Sequence, residues 1–500
     1  MAGLHVPLLT LRNPPCGWPR IARGRSGSLL LDRTTLAFAT PRRLTRRYSP
    51  SLSPSIGAAD QQQAREDTPP PNYDFDAYPN SWEGDDVPGR SVWLRILGVV
   101  DSVLEDLVEE PDGSVVAHVR PKRRQRQRCA VCGRRGPLYD QGEGRRRWRG
   151  LDVGFTRFCI EAAAPRVTCQ VHGVVVARVP WARHGSRFLQ TFEDQVAWLA
   201  THCSQKACSQ LMRLDWQTVG RIITRVVEEA SASHDRLDGL ERIGIDEISW
   251  RRGQRYLTLV VDHATGRLVW AAEGRSKSVV ERFFEQLGPE RCAQLTHVSS
   301  DGAEWILIPV EQYCPTATIC LDPFHVVTWA TNPLDQVRKA IWNDARRSGR
   351  QVAAVHIKGS RWALLRNPEN LTAEQAATLA QIAKLNAPLY RAYLLKEQLR
   401  MIFQIGYHEA VGLLERWLQW ARRCRIGPFV KLARSITYYR ADIEATLQHG
   451  VNNGRVESLN TKVRLIARRA FGFHSAPALI AMSELTLGGL CPSLPGRQPW

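Results

Sequence analysis

The chain has 500 residues, of which 43% are hydrophobic and 23% charged, and this composition excludes a coiled-coil rod, a collagenous fibre and a fully disordered chain. Lys and Arg total 68 against 49 Asp and Glu, and a formal net charge of +19 favours a polyanionic partner, with nucleic acid as the leading candidate. No apolar run reaches the roughly 20 residues of a membrane helix, and the 12 scattered cysteines indicate a reducing compartment. We expect a multidomain protein with no membrane partner.

Residues 1–90 differ in composition from the rest of the chain. Their first part is rich in Arg, Pro and Ser with almost no acid, and a polar, Pro-rich stretch follows. Such a segment buries too little apolar surface to offset its ordering entropy, so we predict a disordered or non-native N-terminal extension. An organelle transit peptide is the alternative interpretation of the same composition.

Order is predicted to begin near Ser91, with a β-hairpin around the turn Pro111-Asp112-Gly113. A metal-ligand pattern follows within residues 91–187. Two pairs at ligand spacing, separated by predicted strands, indicate a zinc ribbon with a structural Zn²⁺ held by Cys129, Cys132, Cys169 and His172. Alternatives are a redox-inert knuckle beside two unrelated residues, or Cys159 as the fourth ligand.

Basic residues interleaved with Trp148 lie between the two ligand pairs. We predict a loop that contacts DNA phosphates, with an aromatic ring available for stacking, and a solvated surface is the alternative. The predicted DNA-binding residues here are Arg145, Arg146, Arg147 and Arg149.

A helical block covers about 188–231, and within residues 188–235 its pattern predicts a DNA-binding helix-turn-helix. Ser204 is expected to cap a first helix through Met212, and a turn at 213–215 leads to a second helix over 216–227. Packing within a helical bundle is the alternative. One face of the second helix carries the predicted DNA-contact residues Gln217, Thr218, Arg221 and Arg225.

Three acids stand out by their positions. Asp246 lies in an apolar strand, Asp301 ends a later strand, and Glu457 lies in the first turn of a late helix. Acids at these places, around a strand-strand-strand-helix-strand order, are what an RNase H-like fold uses to hold two divalent metals for in-line attack on phosphodiesters. Carboxylate ligands suit Mg²⁺ or Mn²⁺. Each acid taken alone is as readily a cap or turn residue.

From about Ser91 to Gly489 the chain resembles the ISL-three family of insertion-sequence transposases, which are DDE enzymes of bacterial mobile elements. The matching segments are "CAVCG", "GIDEISWRRGQRYLTLVVD", "EGRSKSVVERFF", "VSSDGAEW", "ICLDPFHVV", "LLRNPENLTAEQ" and "NNGRVESLNTKVRLIARRAFGF". The resemblance implies a multidomain α/β protein, with an RNase H-like catalytic core, a large helical insertion, and a small zinc-ribbon β domain and helix-turn-helix ahead of the core. It assigns the catalytic and metal-binding acids to Asp246, Asp301 and Glu457.

The same resemblance divides the remaining chain. It implies a first part of the core at 236–332, a helical insertion at 333–447, the final core helix with the catalytic Glu at 448–490, and a tail at 491–500. Glu247 is expected to be a supporting or surface acid, because adjacent strand side chains point to opposite faces. Asp322 and His325 match a family motif and are possible auxiliary residues. Positive charge for backbone phosphates is expected from Arg455, Lys462, Arg468 and Arg469.

The leading hypothesis is a DNA transposase that binds terminal inverted repeats and catalyses strand cleavage and strand transfer into target DNA. It implies two Mg²⁺ or Mn²⁺ ions per active site, a homodimer or higher oligomer in the synaptic complex, and a bacterial, cytoplasmic, nucleoid-associated location. One alternative is a catalytically inactive or domesticated sequence-specific DNA-binding regulator. Another is a structure-selective nuclease, which would not need the ribbon and helix-turn-helix.

Overall fold

The computed structural model describes residues 90–99 and 101–497. The predicted extension at 1–90 lies outside these ranges apart from Arg90, as do residues 498–500 of the predicted tail. The strands, numbered β1 to β12 in chain order, are Ser102–Glu109, Val115–Pro121, Leu138–Asp140, Arg145–Arg149, Phe158–Ala163, Arg166–Cys169, Gly173–Val176, Arg242–Arg251, Arg255–Asp262, Leu268–Glu273, His297–Ser300 and Thr318–Leu321.

The helices, numbered α1 to α17 in the same way, are Arg90–Ile96, Gln190–His202, Gln205–Leu211, Trp216–Ser233, Lys277–Leu287, Pro289–Cys292, Glu304–Tyr313, Pro323–Arg347, Gln351–Gly359, Arg361–Leu365, Ala373–Leu385, Ala387–Ile402, Tyr407–Arg423, Gly427–Tyr438, Arg440–His449, Gly454–Arg469 and Ala476–Leu487. Within the described ranges, no helix is both long and apolar enough to cross a membrane.

The N-terminal region contains two small sheets. Strands β1 and β2 form the predicted antiparallel hairpin, whose turn places Gly113 at a φ of 76°. Together with β5 and β4 they make a sheet in the order β1-β2-β5-β4, while β3, β6 and β7 form a separate three-stranded sheet. Strand β6 ends at Cys169 and pairs with β7, which begins at Gly173, so the second predicted ligand pair lies at the tip of a hairpin.

The start of the ordered region was predicted as strand from Ser91, and this is wrong for the first residues. Residues 90–96 form α1, and Leu97, just after it, donates its backbone N–H to the Trp93 carbonyl at 2.8 Å. Gly98 then adopts a φ of 67°, a left-handed conformation that ends the helix. The alternating pattern begins only after this turn, so the hairpin starts at Ser102.

The helix-turn-helix forms as the sequence predicts. Ser204 caps α3 by accepting the Ala207 backbone N–H at 3.2 Å, and Asp215 caps α4 by accepting the Thr218 N–H at 2.8 Å. Side-chain caps of this kind satisfy amide donors that have no partner inside the helix. The second helix extends to Ser233, six residues past the predicted end at Val227.

Strands β8 to β12 form a five-stranded mixed sheet, which we call the central sheet, in the order β10-β9-β8-β11-β12. Strands β8, β9 and β10 pair antiparallel, whereas β11 pairs parallel with both β8 and β12. Apolar side chains on its two faces belong to separate core clusters, one of them shared with α16, α17 and the helix-turn-helix. The carboxyl ends of β8, β11 and β12 therefore meet along one edge.

Helix α16 approaches the central strand β8 closely because Gly244 has no side chain. A Cβ atom at this position would lie 2.4 Å from Cγ2 of Val456, well inside van der Waals contact. Val456 is fully buried, and it immediately precedes Glu457. A glycine near the start of β8 thus sets the position of the helix turn that carries the third predicted acid.

The region between the last strand and α16 is helical, as predicted, and has its own apolar core around Trp417 and Leu414. Its first helix, α8, runs unbroken across the expected boundary at residue 333, with Pro333 inside it. At the other end, Thr446 of α15 donates its hydroxyl to the Leu321 carbonyl at 2.8 Å, which fastens this region to the end of β12.

The structure adds α17 after α16, which the sequence presents as the last helix. The helix packs against β10 and α4 and buries Leu479, Met482 and Leu485. A helix that is apolar around most of its circumference lacks the one-sided periodicity on which sequence prediction depends. This explains why α16 was recognised and α17 was not.

Candidate functional site

Asp246 and Asp301 lie side by side at the carboxyl edge of the central sheet. Ser299 of β11 is in register with Gly244 of β8, so Asp301 and Asp246 each lie two residues beyond a paired position. Asp246 is buried, at 7% exposed. Burial, with a contribution from the negative charge of Asp301, raises the pKa of Asp246 to about 6. Two predicted acids are therefore electrostatic neighbours.

Hydrogen bonds fix both oxygens of Asp246. Its Oδ1 accepts the backbone N–H of Glu247 at 2.8 Å, and its Oδ2 accepts the Asn460 side-chain amide at 2.8 Å. Asn460 lies three residues after Glu457 on α16, on the same side of the helix. The amide therefore ties the first acid to the helix that carries the third, a link that its spacing from Glu457 could have suggested.

Glu457 groups with Asp322 and His325. One ligand atom from each of these residues lies within 4.8 Å of the others. Burial raises the pKa of Glu457, and the charge of Asp322 raises it further. Among the described residues, no group that fulfils this distance criterion contains Asp246, Asp301 and Glu457 together.

Asp322, which follows β12, links the start of α8 to the start of α16. Capping the long helix α8, it accepts the backbone N–H of His325 at 3.1 Å and the His325 ring Nδ1–H at 3.0 Å. Its other oxygen accepts the backbone N–H of Asn453, the residue immediately before α16, at 3.1 Å. Asp322 is 3% exposed. The residue that the family motif singled out thus joins the start of α8 to the start of α16.

His325 lies where the two pairs of acids meet. Its hydrogen bond to Asp322 raises the pKa of His325, and the charges of Asp301 and Asp246 act in the same direction. A protonated imidazole at this point would partly neutralise the acids on both sides. This electrostatic coupling connects the acid pair on the sheet to the group around Glu457.

Glu247 was expected as a supporting or surface acid, and the structure buries it. Its side chain is 14% exposed and pairs with Arg275 at 3.0 Å, while the second carboxylate oxygen has no hydrogen-bond partner. Burial raises the pKa of Glu247 to about 7, with a contribution from the charge of Asp301. The Arg275 partner comes from the loop before α5, which the strand pattern could not reveal.

A buried polar chain supports the start of α16 and was also missed from the sequence. The His263 ring Nε2 and the Ser299 hydroxyl lie 2.7 Å apart, and Ser299 donates to the Asn453 side-chain oxygen. Burial lowers the pKa of His263 to about 4. Asn453 and Ser299 are fully buried, so this chain is part of the frame that positions Glu457 rather than an open surface.

The predicted zinc ligands come together in one group. The Sγ atom of Cys169 lies 3.6 Å from that of Cys132 and 3.6 Å from Nδ1 of His172, and Cys129 lies 3.7 Å from the same nitrogen. A tetrahedral zinc with Zn–S bonds of about 2.3 Å separates its ligand atoms by roughly 3.7 Å. This donor set fits a structural Zn²⁺ and leaves out Cys159, a residue of β5.

One thiol of this group, that of Cys169, has a lowered pKa that favours metal binding. Backbone N–H groups of Val171 and His172 lower the pKa of Cys169 to about 6. Thiolate is the form that binds zinc, so a lowered pKa favours ligation at neutral pH. Gly133, at a φ of 69°, provides the tight turn after the first ligand pair.

The basic segment between the ligand pairs is a strand and not the predicted loop. Residues 145–149 form β4, and Trp148 is 5% exposed and packs edge-on against Trp181 with ring centroids 5.6 Å apart. The prediction that this ring stacks on a base is therefore wrong, because the ring is buried in the protein core. Arg145 and Arg147 both pair with Glu161, and Arg149 donates to the Arg213 carbonyl at 2.9 Å.

The predicted contact face of α4 is only partly free. Gln217 and Arg221 are exposed, whereas the Thr218 hydroxyl donates to Asp215 at 2.6 Å. Arg225 donates to Glu193, which is fully buried on α2. Its charge is thus already engaged in holding α4 against α2, a tertiary contact that helical spacing does not reveal.

The basic residues of α16 are more accessible. Arg455, Lys462 and Arg468 are exposed, and Arg455 donates to the carbonyl of Ala264 at 3.1 Å. Arg469 is half-buried and donates to the Ala200 carbonyl at 3.3 Å. One helix therefore carries an acid near the site at its first turn and positive charge along the rest of its length.

The zinc ribbon, the helix-turn-helix and the region with the central sheet each match a protein family, and all three families belong to one class. Residues 125–172 match the zinc-finger of transposase IS204/IS1001/IS1096/IS1165, and residues 177–227 match the helix-turn-helix domain of transposase family ISL3. Residues 243–483, which include the central sheet and the helical region, match a family described as Transposase. The class is thus that of the transposases.

Relatives carry the same designation. The chain is 50% identical over 431 residues to the transposase for insertion sequence element IS1557 from two strains of Mycobacterium tuberculosis, covering 81% of this chain and 97% of the relative. It is 28% identical over 371 residues to the transposase for IS1001 of Bordetella parapertussis, covering 73% and 90%. The chain belongs to transposase family ISL3 and is an insertion-sequence transposase, an enzyme that cuts and transfers DNA.

Proposed function

We propose that this transposase cleaves DNA with Asp246, Asp301 and Glu457 on an RNase H-like core. The observation that carries the proposal is the proximity of Asp246 and Asp301 at one sheet edge, where Asp246 accepts a hydrogen bond from Asn460, three residues after Glu457 on α16. Strand order β10-β9-β8-β11-β12, with three antiparallel strands followed by two parallel ones, supports this core. The core then comprises residues 236–332 and 448–490, and residues 333–447 are the insertion between them.

The donor set fits divalent metal ions. Three carboxylates supply hard oxygen ligands of the kind that Mg²⁺ and Mn²⁺ prefer. Burial raises the pKa of Asp246 and of Glu457, which means that their negative charge lacks solvation that a cation would replace. Asp246, Asp301 and Glu457 would hold two ions, which when bound supply an activated water and stabilise charge on the attacking and leaving oxygens.

The protein's own residues orient this chemistry. Asp322 holds His325 through its side chain and the start of α16 through Asn453, so His325 and Glu457 keep fixed positions relative to the acid pair. His325 is then placed to contact the scissile phosphate, and Arg455 and Lys462 to bind neighbouring phosphates. Fixed groups aimed at the reacting phosphate lower the barrier because little reorganisation is needed during reaction.

The partner is double-stranded DNA in two roles. The zinc ribbon over 91–187 and the helix-turn-helix over 188–235 would bind the terminal inverted repeats. Water attacks the phosphorus at the repeat end and releases a 3′-hydroxyl, which then attacks a target phosphodiester and releases a second 3′-hydroxyl. Synapsis of two ends would bring together at least two copies of the chain.

An inactive DNA-binding regulator is the less favoured function. The three acids are present, and the relatives are designated transposases. A structure-selective nuclease does not account for the ribbon and the helix-turn-helix, which match transposase families.

Strand cleavage on DNA carrying the element's own flanking repeats tests the proposal. In Mg²⁺ we expect the wild-type chain to cut at the repeat ends, and Asp301→Asn to lose cleavage by several powers of ten while it binds the same DNA. Neutralising one carboxylate removes a metal ligand but no DNA contact. Equal binding with no cleavage by either protein, in Mg²⁺ or in Mn²⁺, would contradict the catalytic assignment.

A further inference from the structure

A groove of about 900 Å³ lies between the helix-turn-helix and the segment that follows α16. We call it the α4 groove. One wall is formed by α3 and α4, with Lys206, Trp216 and Arg221, and the other by residues 469–478, with Phe471 at its rim. The second helix of the helix-turn-helix therefore faces a neighbouring chain segment across this groove.

Phe471 occupies a backbone position that normally belongs to glycine. Helix α16 ends in a Schellman motif, in which Gly472 donates its N–H to the Ala467 carbonyl at 2.8 Å and Phe471 donates to Arg468 at 3.0 Å. The motif requires a left-handed residue, and Phe471 adopts this conformation with a φ of 57°. A β-carbon is disfavoured in this region, so the fold alone would favour glycine here.

The side chain at this strained position is also exposed. Phe471 is 91% exposed, so its ring contributes almost no burial to the fold. The segment around it is nevertheless held in place, because the rings of His474 and Trp216 lie 5.1 Å apart and tie it to the first turn of α4. Backbone strain combined with an exposed aromatic ring points to a function rather than to stability.

The charges of the groove indicate what would occupy it. Lys206, Arg221 and Arg469 line it, and Glu228 is the acid among its lining residues. Basic side chains beside exposed aromatic rings suit a nucleic acid, whose phosphates meet the cations and whose sugars and bases meet the rings. The family match makes the adjoining α4 part of a DNA-binding unit, so the groove continues an established DNA-binding element.

Resting on the proposed binding of the terminal repeats by the helix-turn-helix, we propose that the α4 groove binds the duplex of the element's terminal repeat, with Phe471 in apolar contact with its sugars or bases. The segment after α16 is then a second DNA-contacting element beside the helix-turn-helix. Residues 457–469 of α16 span about 18 Å at the rise of an α-helix, the length of about five base pairs. One duplex is therefore long enough to reach from the groove to Glu457.

Phe471→Gly separates DNA contact from folding. Glycine suits the left-handed position better than phenylalanine, so this variant should unfold at the same or a higher Tm. We expect its affinity for a fluorescent repeat-end duplex, measured by anisotropy, to fall about tenfold, in line with the loss of one ring contact. Phe471→Tyr keeps the ring and should bind like the wild type. Tyr438→Ala, which removes a ring that is 80% exposed on α14, is the matched control and should also bind normally.

The proposal is overturned if Phe471→Gly binds the duplex as tightly as the wild type does. It is also overturned if the variant has a lower Tm, since Phe471 would then serve the fold, or if only single-stranded DNA is bound more weakly. Each measurement reads binding without cleavage, so failure of the proposed metal chemistry would leave the result interpretable. Conversely, a loss of binding in Phe471→Gly leaves the carboxylate assignment untouched.

Discussion

The two candidate metal groups found among the described residues differ in how far the sequence itself brings their donors together. The zinc donors come from two pairs, each with its members three residues apart, and the structure gathers them at 3.6–3.7 Å. The carboxylate site collects residues from β8, the end of β11, the start of α8 and the start of α16. One group is locally encoded, whereas the other depends on the whole central fold.

Charge explains the difference. Thiols and an imidazole can be neutral, so two tight turns suffice to bring them together. Buried carboxylates repel each other in a low-dielectric site and need hydrogen-bond donors from remote segments. Asn460 of α16 supplies such a donor to Asp246, and His325 and Asn453 supply donors to Asp322. The catalytic candidate is therefore the more sensitive of the two to single changes far apart in sequence.

The largest effect is expected from Glu457→Gln. The substitution retains the size of the side chain and removes its charge, and we expect cleavage at repeat ends to fall by roughly a thousandfold or more, equivalent to about 4 kcal/mol of activation free energy. Single-turnover cleavage in Mg²⁺ measures it, with binding of the same duplex expected within twofold of wild type. Glu444→Gln, which replaces a half-buried acid paired with Arg440 on neighbouring α15, is the control and should cleave normally. A Glu457→Gln enzyme that cleaves at half the wild-type rate would remove Glu457 from the site.

The second prediction concerns the zinc affinity of the four ligand residues in the zinc ribbon. Structural zinc contributes about 10–16 kcal/mol over four ligands, so losing one ligand should cost about 3 kcal/mol, over a hundredfold in zinc affinity. We expect Cys132→Ser to lose zinc to a competing chelator at concentrations that leave the wild type loaded. Hydrogen exchange should then increase across residues 125–176.

Cys159→Ser is the matched control for this measurement. Cys159 is a half-buried strand residue outside the ligand group, so the variant should retain the wild-type zinc affinity. If Cys159→Ser lost zinc and Cys132→Ser did not, the ligand assignment would be wrong. Because the ribbon folds around local turns, neither change should alter the stability of the central sheet.

The features that could be predicted from the sequence are those that depend on neighbouring residues, and the features that could not are those that depend on tertiary contacts. The zinc donors and the Ser204 cap of the helix-turn-helix were predicted, because they rest on local spacing and local hydrogen bonds. Burial of Trp148 against Trp181 and engagement of Arg225 by Glu193 were not, since both depend on tertiary contacts. The grouping of Asp322 with His325 and Glu457 needs a register between α8 and α16 that no local pattern contains.

The smallest expected effect concerns the pH dependence of stability in the carboxylate site. Burial raises the pKa of Glu247 to about 7 from an ordinary value near 4.5, so the folded protein binds its proton more tightly than the unfolded chain does. This carboxyl therefore imposes no penalty below about pH 4.5, and an increasing one as the pH rises towards 7. In EDTA, Glu247→Gln should raise the free energy of unfolding by up to roughly 3 kcal/mol at pH 8 and leave it nearly unchanged at pH 4.5. Urea unfolding at both pH values measures the difference, and Glu273→Gln, an exposed acid at the end of β10, should show none. A gain of equal size at both pH values would mean that packing, and not the desolvated charge beside Asp301, sets the effect.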